Sequence, residues 1–453
     1  MFKKILIANR GEIALRIIRA CRELKIATVA IHSDVDEHAL HVRFADESVC
    51  VGPASPTESY LNIPAIIAAA EITGADAIHP GYGFLSENAQ FAKVCQDCGL
   101  TFIGPTPENM LQWGDKIRAR ELAERLGLPL AKGSGLLRDV QDAITQAKAI
   151  GYPVMLKAAG GGGGRGMQIV RNNETMLRVF ASARTEALAG FGNGDLYCER
   201  FVEEPRHIEF QVVCDSKGNV RILGERECSI QRRHQKLIEE APSVAVSTEL
   251  RNDMAATIGR AMRESGYLSL GTLEFLMDEK GELSFMEMNT RVQVEHPVTE
   301  LITGVDLVLE QILIAAGHET TISAGTLSPR GHAIECRINA EDPRTFAPCP
   351  GLITEYHAAG GAGIRIDSGV YGGWRVPPYY DSLLLKVIAH ARTRQNAISR
   401  MQQALSETII SGIRTNTKLH QFILDHPDFV AGNLSTRFIE RCNLQALALE
   451  PAS

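Results

Sequence analysis

Six glycines stand within seven residues at Gly160–Gly164 and Gly166, broken only by Arg165. Each glycine inside a helix or strand costs roughly 0.5–1 kcal/mol relative to alanine, so this run must be a connection. Apolar runs flank it, Tyr152–Ala159 before and Met167–Arg171 after. The connection therefore joins strand to strand, a hairpin whose tip is almost bare backbone. Such amides can approach a phosphate closely. The P-loop pattern is absent, because Arg165-Gly166-Met167 follows the glycines and no helix opens there. With Lys157 just before the run and Arg165 within it, a glycine hairpin closing over phosphate is the physical expectation, and Gly162, Gly163 and Gly164 are candidate contacts.

A second pattern is an alternation across Leu283–His296. Glu287, Asn289, Arg291, Gln293 and Glu295 recur at every second position, with Met286, Met288, Val292 and Val294 between them. In an extended chain the polar set shares one face. Glu274, in the expected strand Thr272–Met277, lies across a hairpin from Glu287. Facing carboxylates with Asn289 beside them make a hard oxygen site suited to Mg²⁺ or Mn²⁺ and a nucleotide. Arg291 can then hold a small planar anion while Glu295 is placed for proton transfer, and His296 falls on the opposite face as a structural residue. His207-Ile208-Glu209-Phe210-Gln211 alternates in the same way. Gln231–Lys236 adds a dense basic cluster that an acidic chain needs around polyphosphate.

The N-terminal third alternates apolar strands with helical periodicity: Lys4–Ala8, Glu12–Leu24, Ala27–His32, Ile63–Thr73, Ala75–His79. That order implies a parallel, doubly wound sheet. The turn Asn9-Arg10-Gly11-Glu12 has one glycine, so the dinucleotide fingerprint fails. At 453 residues, 45% hydrophobic and 22% charged, the chain has room for about three globular domains. A net charge of −7 gives no nucleic-acid footprint. No run approaches the roughly 18 apolar residues of a membrane span. Ten scattered cysteines in a chain of this size predict reduced thiols and a cytoplasmic location, with Cys95 and Cys98 serving packing on a helix.

Assembled, these residues resemble the biotin carboxylase family of ATP-grasp enzymes over nearly the whole chain. The resembling segments are Ile7–Arg16, His79–Asn88, Gly160–Met167, Pro205–Gln211, Ser229–Glu240 and Glu287–Glu300. A generic ATP-grasp ligase would share the glycine loop and acidic strand but not Arg291–Pro297. The resemblance implies an α/β and α+β fold. Its parts are a Rossmann-like domain at 1–114, an ATP-grasp domain at 115–330 with a mobile glycine-rich lid at about 131–201, and a mixed β domain at 331–446. It implies ATP- and bicarbonate-dependent carboxylation of biotin through carboxyphosphate. Lys116, Lys157, Glu199, Val202 and His207 would contact the nucleotide, with Gln231 and His234 near the ribose. Glu274, Glu287 and Asn289 would hold the metal. Arg291, Gln293 and the Val294 backbone would bind bicarbonate, Glu295 would deprotonate it, and Lys236 would be a phosphate-side cation. Arg337 would stabilise the biotin enolate, with Tyr82 nearby. Arg200, Cys349 and Leu385 depart from the usual family residues.

The implied partners are a biotin carboxyl carrier protein, carboxyltransferase subunits and a second copy of the chain. No Met-Lys-Met occurs and the chain stops at Ser453, so the chain itself is expected to carry no biotin. The acyl acceptor stays open among acetyl-CoA, propionyl-CoA, other acyl-CoA and pyruvate systems. The alternatives are another ATP-grasp carboxylate ligase, or an inactive nucleotide-binding subunit. The second is disfavoured because every proposed catalytic position holds a competent residue.

Overall fold

Five short apolar strands begin the chain: β1 (Lys4–Ile7), β2 (Ala27–Ser33), β3 (Glu47–Gly52), β4 (Ala77–His79) and β5 (Thr101–Phe102). They pair in parallel in the order β3-β2-β1-β4-β5. β1, β2 and β4 are almost wholly buried, as strands covered on both faces must be. Helix Gly11–Glu23 presents Ile13, Ala14, Ile17 and Ile18 to a core shared with Val292, Leu307 and Ile312 from the middle of the chain. The described residues of this computed structural model are 1–160, 166–325 and 328–447. Gly162, Gly163 and Gly164 lie outside them.

A three-stranded antiparallel sheet follows, β6 (Val154–Ala158), β7 (Met167–Val170) and β8 (Leu196–Arg200), in the order β7-β6-β8. Helices Val140–Ile150 and Asn173–Phe191 cover it through Ala143, Ala147, Met176 and Phe180. The strand-to-strand reading of the glycine run agrees with β6 pairing antiparallel to β7.

The rest of the chain builds one large antiparallel sheet and two small ribbons. Its early strands are β9 (Arg206–Cys214), β10 (Val220–Arg232), β11 (Gln235–Ala241), β12 (Ser269–Met277) and β13 (Leu283–Asn289). The last third adds β14 (His332–Asn339), β15 (Gly351–Leu352), β16 (Glu355–His357), β17 (Ile364–Ser368), β18 (Arg375–Val376), β19 (Leu383–Ala391) and β20 (Ile409–Ser411). Eight of them run in the order β13-β12-β9-β10-β11-β14-β19-β17, while β15/β18 and β16/β20 form separate ribbons. Leu385 is fully buried in the core of this last third. Arg16 binds Glu300 at 3.0 Å, and Arg365 on β17 binds it at 2.6 Å, tying the N-terminal helix, the middle and the last third together.

All ten cysteines are free; Cys95 is buried on helix Ala89–Asp97 and Cys98 is exposed just after it. No described helix is long and apolar enough to cross a membrane.

One sequence expectation needs correction. The alternating run does not stay extended to His296: β13 ends at Asn289, and helix His296–Thr303 starts with Glu295 as its cap. Two causes combine. The Thr290 N–H leaves the ladder and donates to Glu87 Oε1 at 3.0 Å. Pro297 sits in the first helical turn, where its fixed φ favours a helix start.

Candidate active site

Residues of the eight- and three-stranded sheets, with Asn9–Ile13 after β1 and Tyr82–Phe84 after β4, line one cavity of about 1140 Å³, just above the usual range for ligand sites. Its floor is a cross-strand row. Glu287 on β13 faces Glu274 on β12, which faces Glu209 on β9, which faces Arg226 on β10. Three carboxylates side by side repel, so the row stands only with cations among them. Lys236 Nζ supplies most of that charge, at 2.6 Å from Glu209, 2.9 Å from Glu274 and 2.6 Å from Glu295. Arg226, fully buried, pairs with Glu209 and donates to Gln211 at 2.8 Å and Thr272 at 3.1 Å. His207 Nε2 lies 3.1 Å from Glu274.

The turn between β10 and β11 places Gln231, His234 and Lys236. Its central residues, Arg233 and His234, take φ of 48° and 67°. Non-glycine residues adopt that region at a cost, here in return for a two-residue hairpin of the favoured twist. Gln231 approaches His207 Nδ1 at 3.5 Å, and burial together with His207 and Lys116 holds the His234 imidazole below its usual range.

Although Arg291–Glu295 is not a strand, its side chains still converge. Arg291 donates to Gln293 Oε1 at 2.7 Å and to Asn289 Oδ1 at 3.0 Å, and Gln293 donates to Glu274 at 3.1 Å. Glu295 accepts from Lys236 and, at 2.8 Å, from Arg337 Nη2. Burial pushes the Glu295 carboxyl up, but Lys236, Arg337 and Arg226 outweigh it and hold the group well below the usual carboxylate range. Lys386, buried on β19, donates to the Val294 carbonyl at 2.8 Å and pairs with Glu12 at 3.1 Å. Tyr82 hydrogen-bonds Glu12 in turn. His296 is buried and faces away from the cavity, its Nδ1 on the Gln293 carbonyl at 2.8 Å.

The roof is lighter. Lys157 on β6 pairs with Glu199 on β8, whose other oxygen takes Arg120 at 2.6 Å. Val202 follows β8 on the cavity wall. Lys116, the first residue of helix Lys116–Arg125, reaches Glu287 at 3.4 Å. The donor set fits a hard cation. Glu287 is half-exposed to the cavity with one loose partner, Glu274 faces it across the hairpin, and no thiol intervenes.

The sequence reading missed Glu87, whose Oε2 takes Arg291 Nε at 2.9 Å. It assigned no part to Arg120, Glu209, Arg226, Glu239 or Lys386. Glu209 was visible in the alternation of β9. Lys386 was visible as a lone charge in an apolar strand, Leu384-Leu385-Lys386-Val387. Glu87 carries no local signal.

This is an ATP-grasp enzyme by fold and by cavity: residues 115–322 match the family described as the carbamoyl-phosphate synthase L chain, ATP binding domain. Residues 1–110 match the biotin carboxylase N-terminal domain, and 335–441 the biotin carboxylase C-terminal domain. The chain is 55% identical over 98% of its length to a biotin carboxylase of a Nostoc species, covering 99% of that protein. It is 53% identical over 97% of its length to the Haemophilus influenzae biotin carboxylase, again covering 99%. The biotin carboxylase domain dimer of Hydrogenobacter thermophilus 2-oxoglutarate carboxylase, solved with MgADP, ADP and bicarbonate, superposes with TM-score 0.92 at 51% identity, covering 97% of each chain. A Campylobacter jejuni biotin carboxylase–nucleotide complex gives 0.94 at 47%, covering 98% of this chain and 99% of that one. The chain belongs to the biotin carboxylase family.

Proposed function

We propose that the chain uses ATP and bicarbonate to carboxylate biotin held by a separate carrier protein. The single observation carrying this reading is Glu295, a fully buried carboxylate kept ionised by Lys236 and Arg337, which themselves line a nucleotide-sized cavity. Arg291, Gln293 and the Val294 backbone hold bicarbonate beside it. Glu295 takes the bicarbonate proton; as the anion arrives, it draws Lys236 and Arg337 away, and the carboxylate gains basicity as they leave. Lys236 then faces the phosphoryl oxygens, and Arg337 the urea oxygen of biotin, with Tyr82 at the rim. Lys116, Lys157, Glu199, Val202, His207, Gln231 and His234 bind the nucleotide, and Gly162, Gly163 and Gly164 contact its phosphates. Glu274, Glu287 and Asn289 would hold Mg²⁺ or Mn²⁺, which when bound neutralises charge on the transferring phosphoryl group. The expected assembly is a cytoplasmic homodimer meeting a biotin carboxyl carrier protein and carboxyltransferase subunits.

The test is ATP hydrolysis with Mg²⁺. It should require bicarbonate and rise with free biotin; equal rates in bicarbonate-depleted buffer would sink the assignment.

A further inference from the structure

Behind Arg337 lies a second acidic pair that the reaction as drawn does not use. β11 and β14 place Glu239 and Glu335 directly opposite each other. Both are fully buried. Apart from the Arg337 Nε contact at Glu239 Oε1, none of their carboxylate oxygens has a hydrogen-bond partner among the described residues. Two ionised carboxylates opposed on a buried sheet face would repel without water to screen them.

The surrounding cations are already committed. Arg337, two residues from Glu335 on β14, is divided between Glu239 at 2.5 Å and Glu295 at 2.8 Å. Lys236, on Glu239's own strand, serves three carboxylates. Lys386 on β19, opposite Arg337, is taken by Glu12 and the Val294 carbonyl. Glu295, from the turn beyond β13, adds another negative charge. Cys336 is a buried thiol.

We propose that Glu239 and Glu335 share one proton through neutral pH and act together as a positioning pair for Arg337. With one negative charge behind it, the guanidinium stays balanced between Glu239 and Glu295 and can turn out to biotin. With two, it is drawn back into the sheet. The inference rests on the biotin-carboxylation reading.

The electrostatics agree with the geometry. Burial pushes both carboxyls up, Glu239 to about 7 with Arg337 offsetting part of the effect, and Glu335 well above the ordinary range, where Lys386 offsets part and the facing Glu239 adds to the rise. Raised acids contribute stability that is complete below the ordinary carboxylate pKa and is lost as pH rises through the folded-state value. The same deprotonation should loosen biotin binding on the alkaline side.

The experiment measures KM for free biotin in bicarbonate-dependent ATP hydrolysis from neutral to alkaline pH. Wild-type KM should climb by up to about tenfold per pH unit once the pair ionises. Glu335→Gln, fixed neutral at nearly the same shape, should flatten that climb. Glu239→Gln should flatten it too, so either variant suffices if the other fails to fold. Infrared difference spectra should show a protonated carboxyl band at neutral pH in the wild type, missing from the variant. A flat wild-type KM, no protonated carboxyl band, or a variant that keeps the full climb would each overturn the proposal. Absence of any biotin stimulation at neutral pH would instead overturn the functional reading beneath it.

Discussion

The roof and the floor of the cavity solve the same electrostatic problem differently. At the three-stranded sheet, Lys157 and Glu199 on its strands and Arg120 from helix Lys116–Arg125 form a small chain of ion pairs with side chains 20%, 12% and 22% exposed. On the eight-stranded sheet, Lys236 joins Glu209, Glu274 and Glu295, whose side chains are 0%, 5% and 1% exposed. Partly exposed pairs are screened by water more than buried ones and contribute less, on the order of 1 kcal/mol, so a ligand can replace them more readily. A buried network loses several kcal/mol when one member is removed, because its partners stay charged and unpaired. The roof can exchange partners during turnover; the floor has to keep its charges matched throughout.

The sharpest way to break that contrast is at the base. Glu295→Gln should lower bicarbonate-dependent turnover by ~10²–10⁴. Nucleotide affinity, read by equilibrium binding, should stay within a few-fold, since Glu295 meets Lys236 and Arg337 and no group of the roof. Near-wild-type turnover would mean the base lies elsewhere.

Stability compares the two regions directly. Lys236→Met takes the shared cation from three buried carboxylates and should destabilise the fold by about 3–5 kcal/mol, whereas Lys157→Met, which leaves Glu199 with Arg120, should cost about 1 kcal/mol. Denaturant unfolding of both variants checks this. Equal losses would erase the distinction between roof and floor.

The smallest expected effect sharpens the edge between them. Glu87→Gln weakens the ionic hold on the Arg291 Nε, a pair whose Glu87 side chain is 40% exposed and which is worth about 1 kcal/mol or less. KM for bicarbonate should rise by about fivefold or less, with kcat less affected. An unchanged KM would show that Gln293 and Asn289 alone orient Arg291.

Local periodicity made much of this legible. Period-two alternation marked β9 and the β12–β13 hairpin, and put Glu274 opposite Glu287 before any coordinates did. The same signal overreached at Arg291–Glu295, because side-chain alternation carries no information about whether the backbone still has a partner strand. Glu87, 203 residues before Thr290, decided that point. Arg120 escaped notice because its acceptors, Glu199 and the Ala131 carbonyl, lie on segments that only the fold brings together. Lys386 was different: a charge in the middle of an apolar strand predicts a buried partner, although not which one.

The pairing of β11 with β14 has a consequence for how such a chain can be cut and recombined. Ile238–Ala241 is laddered to Ala333–Cys336. That ladder crosses between the segments matched as 115–322 and 335–441. The seam between the two segments in sequence is therefore an uninterrupted weave in space, with Lys236 on one thread and Arg337 on the next. A graft exchanging the last third with that of a relative would import a new edge for half a sheet. It would inherit the donor's chemistry only if every crossing matched.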